Sequence, residues 1–76
     1  MKRQVLDARR LLCPLPVIRT QDKVKQLLVG EQLEVICTDP GVMQDIPAWC
    51  RINGHQVLET TTNDDSEYII ILQVGE

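Results

Sequence analysis

The chain has no phenylalanine, and only one tryptophan (Trp49), one tyrosine and one histidine among its 76 residues. So few rings leave little for nucleobases to stack on, and no aromatic residue interleaves the basic positions. The core must be aliphatic, since hydrophobic residues still make up 43% of the chain. No apolar run approaches the roughly 20 residues that a membrane-spanning helix needs. No secretory leader is legible, so the chain reads as a complete cytoplasmic protein with no membrane partner. At this length one domain, residues 1–76, is expected, with a thin core and modest stability.

The three cysteines, Cys13, Cys37 and Cys50, form no CxxC pair. His55 follows Cys50 at a spacing that matches no common zinc template, so no metal site is expected. An odd number of cysteines argues against a disulfide-stapled secreted domain. No phosphate-cradling glycine loop and no oxyanion motif is present. No cofactor is expected, and the chain is not read as processing a small substrate alone.

Charge is unevenly spread. The net charge is −3, but residues 1–25 carry +5 and residues 26–76 carry −8. The cationic third includes Arg9, Arg10 and Arg19 and also holds Cys13. Such a patch can favour a thiolate and steer an acidic partner; it is equally what a solvated helix face with ordinary ion pairs looks like. The acidic balance of the whole chain speaks against direct nucleic-acid binding.

Cys13 stands in the run Leu11-Leu12-Cys13-Pro14-Leu15-Pro16. Proline is favoured at the first helical position, where its missing N–H has no intrahelical partner anyway. Pro14 therefore reads as the first residue of a helix and Cys13 as its N-cap. The helix dipole and Arg9, Arg10 and Arg19 would favour the thiolate, which is the reactive form. Pro14 and Pro16 remove two amide donors, leaving only the Leu15 N–H to serve the sulfur. A modest lowering of the Cys13 pKa is expected. The alternative is that Cys13 is a small apolar residue with no chemistry.

Along the chain, Val5 to Ala8 reads as a first strand and Pro14 to about Leu28 as an amphipathic helix. Val17, Val24, Leu27 and Leu28 share its apolar face, with Gln21 interrupting. Gly30 is a plausible stop. Leu33 to Thr38 alternates as a strand, with Cys37 pointing into a packed face. Asp39-Pro40-Gly41 signals a turn and a helix start. The second helix covers roughly Val42 to Asn53, with Ile46, Trp49 and Cys50 on one face. Pro47 is tolerable if the regular part begins near Gln44 or Asp45, with Asp45 capping it. Gln56 to Thr62 and Glu67 to Val74 read as two strands joined by the turn Asn63–Ser66. The order β-α-β-α-β-β implies an α/β two-layer sandwich with both helices on one sheet face. A monomer is expected, although an edge strand could pair with another chain.

The elements Leu6-Asp7-Ala8, Cys13-Pro14-x-Pro16, Gly30-Glu31, Thr38-Asp39-Pro40 and Asp45-Ile46-Pro47 together resemble the TusA/SirA-like family of small sulfur carriers. The resemblance runs in register over nearly the whole chain. It implies a mixed four-stranded sheet, and sulfur transfer with Cys13 as the persulfide site. A cysteine desulfurase or rhodanese-like protein would be the donor. A DsrE-like or other protein would be the acceptor, on routes to tRNA 2-thiouridine, sulfur oxidation or the molybdenum cofactor. Three flanking positions depart from the family pattern: Arg10 where a glycine is often found, Leu12 where some members have arginine, and Leu15 where some have glutamate. They make the surroundings of the cysteine more apolar.

Asp7, Asp39 and Asp45 read as caps and turn formers. Two rival functions stand beside the carrier. One is a redox-regulatory thiol module, although no resolving cysteine is close in sequence. The other is a non-catalytic interaction module working through the basic third.

Overall fold

The computed structural model describes residues 3–76; Lys2, counted above among the cationic residues, lies outside the described residues. The elements are β1 (Arg3–Ala8), α1 (Leu15–Val24), β2 (Gln32–Cys37), α2 (Val42–Ile52), β3 (Gln56–Thr62) and β4 (Tyr68–Gln73). They form one four-stranded sheet in the order β1-β2-β4-β3. β1 and β2 are parallel, and β4 runs antiparallel to both of its neighbours, so the sheet is mixed. The two-layer sandwich expected from the element order is the one the chain adopts.

The strand residues explain their places. In β2, Leu33, Val35 and Cys37 are fully buried while Gln32, Glu34 and Ile36 are half-buried. That alternation follows from the two-residue period of a strand with one face on the core. β4 buries Ile70, Ile71 and Leu72 in succession, as suits a strand with a neighbour on each side. β3 is an exposed, threonine-rich edge with a register irregularity between Val57 and Glu59. A bulge of this kind disfavours pairing with a further strand. Ile46 and Cys50 from α2 and Val24 from α1 join the same core. Burying a leucine- or isoleucine-sized side chain stabilises a fold by roughly 1.5–3 kcal/mol.

The helices differ from the sequence expectation in three ways. First, α1 ends at Val24, and the chain from Lys25 to Val29 runs in turns with Leu28 and Val29 exposed. Its buried stripe is Pro16, Thr20 and Val24, not a face closed by Leu28. Thr20 tolerates burial because its Oγ1 donates to the Pro16 carbonyl at 2.8 Å. Second, Pro14 and not Cys13 occupies the N-cap position, across a cis Cys13–Pro14 peptide. Third, α2 starts at Val42 as expected but is regular from there, so Pro47 lies inside it and Asp45 in its first turn, not at a cap. The first turn is tight, with Val42, Met43 and Gln44 N–H groups reaching back three residues to Asp39, Pro40 and Gly41 carbonyls.

One consequence of the parallel pairing positions the site. Ala8 at the end of β1 lies opposite Cys37 at the end of β2. The segments that follow, 9–14 and 38–41, therefore emerge side by side at one end of the sheet.

Candidate functional site

The first segment is fastened at its base. The Arg9 guanidinium grips Asp7 through Nε to Oδ1 at 2.9 Å and Nη2 to Oδ2 at 3.0 Å, and reaches Glu67 at 3.1 Å. The Arg9 N–H also donates to Asp7 Oδ1 at 3.0 Å. These bonds hold the Asp7 carboxyl well below the usual carboxylate range, at about 2. Arg9 is thus committed to carboxylates and is not a free cation for Cys13. Arg10 adopts φ 66°, in the left-handed region, and its N–H donates to Thr38 Oγ1 at 2.9 Å. Glycine enters that region without steric penalty.

The second segment holds the cysteine. Asp39 Oδ1 accepts the Gly41 N–H at 3.0 Å, and Asp39 Oδ2 accepts the Cys13 N–H at 2.9 Å. These two backbone bonds, Gly41 first, draw the Asp39 pKa down. Cys13 Sγ–H donates to Asp45 Oδ2 at 3.2 Å. The hydrogen bond to Asp45 pushes the Cys13 thiol pKa up, and the charges of Asp45 and Asp39 add to the effect.

The expected lowering is therefore reversed. The reasoning from the helix start assumed that the Leu15 N–H would serve the sulfur, but that group donates to the Leu12 carbonyl at 2.9 Å. The sulfur is a donor to a carboxylate. Asp39 is the turn former it was read as and also anchors Cys13. Asp45 is no cap; its carboxylate meets the thiol.

Cys13 is solvent-exposed, whereas Cys37 and Cys50 are fully buried and burial pushes each of their thiols up to about 11. Leu12, Leu15 and Ile18, at 75%, 42% and 44% exposure, present an apolar surface in the sequence around the thiol. Pro16 is buried, and Arg19 is exposed on α1. An open depression of about 450 Å³ is lined by Asp7, Arg9, Arg10, Thr38, Asp65 and Glu67. Cys13 does not line it. The thiol is displayed on the surface, where another macromolecule can approach it.

The family model described as Sulfurtransferase TusA matches residues 4–74 of this chain. The chain belongs to the TusA family. The YrkI protein of Bacillus subtilis (strain 168) is 44% identical over 62 residues, which cover 82% of this chain and 83% of YrkI. The sulfur carrier protein TusA of Pseudomonas paraeruginosa (strain DSM 24068 / PA7) is 46% identical over 55 residues, covering 72% of this chain and 70% of that protein. The crystal structure of a SirA-like protein from Desulfitobacterium hafniense shares the fold, with a TM-score of 0.85 at 24% identity, covering 96% of this chain and 99% of that one. Membership of the TusA family supports a sulfur-carrier role, and with it a sulfur donor and a sulfur acceptor as partners. Among the described residues, no helix is long and apolar enough to cross a membrane.

Proposed function

We propose that this protein accepts a sulfane sulfur on Cys13 as a persulfide and relays it to an acceptor protein. The observation that carries the reading is the display of Cys13: exposed, with its N–H held by Asp39, in a TusA-family chain whose other two thiols are buried. In loading, the Cys13 sulfur attacks the terminal sulfur of a donor persulfide. A new S–S bond forms at Cys13, the donor's S–S bond breaks, and the donor sulfur leaves as a thiolate that takes up a proton. The net exchange is Cys13–SH and R–S–SH giving Cys13–S–SH and R–SH. Delivery repeats the exchange with an acceptor thiol, and no outside oxidant or reductant is required.

Pro14 and Pro16 set where α1 begins and so where the thiol stands. The apolar Leu12 and Leu15 and the cations Arg10 and Arg19 are the residues through which partners would dock. A cysteine desulfurase or rhodanese-like donor and a DsrE-like or other acceptor fit this chemistry, in a cytoplasmic setting. The burial of Cys37 and Cys50 favours the carrier over a redox switch, because neither is presented to resolve a disulfide with Cys13.

The test is intact-mass analysis after incubation with a cysteine desulfurase and L-cysteine. Wild type is expected to gain one reducible sulfur, and Cys13→Ser none. Equal gain in the variant would remove Cys13 from the role.

A further inference from the structure

The two carboxylates at the start of α2 have different tasks. Asp39 touches only backbone, at the Gly41 and Cys13 N–H groups. Asp45 reaches the sulfur itself, at 3.2 Å. Gly41 lies between them: a Cβ there would stand 3.4 Å from Asp39 Oδ1 and 3.7 Å from Asp45 Oδ2. Asp45 is on the first turn of α2, next to the fully buried Ile46, so a packed helix fixes where its carboxylate stands.

We infer that Asp45 is a catalytic residue that holds the empty Cys13 as a thiol by accepting its Sγ–H and takes that proton when the sulfur attacks. The inference rests on the carrier reading above. In loading, the Sγ–H proton passes to Asp45 Oδ2 as Sγ forms its bond to the donor's terminal sulfur. The donor's S–S electron pair leaves on the donor thiolate, and the proton on Asp45 is then free to neutralise it. The carboxylate is regenerated and all atoms balance.

The loaded state loses this contact. In a persulfide, Sγ has no proton to donate, and the terminal sulfur stands about 2.05 Å farther out. Asp45 therefore distinguishes the empty carrier from the loaded one. A thiol of raised pKa is mostly un-ionised near neutrality, and so slow to react with stray electrophiles and oxidants. As a thiolate of raised basicity it is a stronger nucleophile toward a docked donor but a poorer leaving group. The cargo is thus retained until an acceptor draws it off. The charged groups bearing on the sulfur are Asp45 from α2 and Asp39 from the segment before it; on the α1 side, Arg9 is occupied by Asp7 and Glu67.

The test is the rate of iodoacetamide alkylation of Cys13 as a function of pH, for wild type, Asp45→Asn, Asp45→Glu and Asp39→Asn, with folding checked by circular dichroism. Asp45→Asn is expected to shift the profile to lower pH and to alkylate several-fold faster at neutral pH. Asp45→Glu should restore part of the protection, and Asp39→Asn should shift the profile less than Asp45→Asn. Profiles that coincide for wild type and folded Asp45→Asn would overturn the inference. Alkylation needs no sulfur donor, so that failure is distinct from failure of wild type to load on Cys13, which would overturn the carrier reading.

Discussion

The segments that follow β1 and β2 leave the same end of the sheet but are built differently. The first, 9–14, is cationic and proline-bounded, and displays the sulfur. The second, 38–41, is acidic, leads into the tight first turn of α2, and supplies the group that holds the Cys13 backbone. Asp45, one turn further on, completes the hold on the thiol. The reactive atom belongs to one segment and its electrostatic control to the other. A helix start therefore does not dictate the state of a thiol beside it when a neighbouring helix presents a carboxylate at hydrogen-bond distance.

The largest stability effect should come from loosening the second segment from beneath. Ile46 is fully buried and anchors α2 one residue from Asp45. Ile46→Ala should lower stability by about 2–5 kcal/mol in urea denaturation. It should also bring the alkylation profile of Cys13 toward that of Asp45→Asn, since the carboxylate would no longer be fixed. An unchanged profile in the folded variant would separate the two effects.

Acid should unfasten both segments together. Asp7, Asp39 and Glu67 have pKa values lowered in the folded state, Asp7 to about 2. Groups of this kind contribute stability above their unfolded pKa values, and it is lost as pH falls through the folded ones. Thermal stability should be level between about pH 5 and pH 8 and decline from about pH 4 toward pH 2. Replacing Asp7 by Asn should flatten part of that decline.

The smallest effect tests the first segment alone. Arg10 holds a left-handed backbone that costs a non-glycine residue energy, while glycine is freer in the unfolded chain. Arg10→Gly should gain about 1 kcal/mol or less in stability, measured by chemical denaturation, and leave Cys13 alkylation unchanged.

The fold was largely legible because its signals are local. The alternation of Leu33, Val35 and Cys37, the apolar run of β4 and the Asn63–Ser66 turn each act over a few residues. Thr20 was missed because its polarity hid the stripe Pro16–Thr20–Val24. The i, i+4, i+8 spacing and a threonine's ability to bond the carbonyl four residues back would have marked it. Leu28 was assigned to the helix face because its spacing fits, but the chain leaves helical geometry after Val24.

At the site, the place of Cys13 beside the start of α1 was readable from its flanking prolines, and its partner was not. Asp39 and Asp45 lie 26 and 32 residues away in sequence and reach Cys13 only through the parallel pairing of β1 with β2. Local reasoning saw the arginines and the helix start, and so gave the pKa shift the wrong sign. The Asp39-Pro40-Gly41 turn with Asp45 four residues beyond Gly41 carried the missing signal, once the two strand ends were set side by side.

The most direct measurement is peptide mapping of wild type after loading with isotopically labelled sulfur from a cysteine desulfurase. The account predicts label on the peptide containing Cys13, released by reductant, and none on those containing Cys37 or Cys50. Label on either buried cysteine, with Cys13 bare, would contradict it.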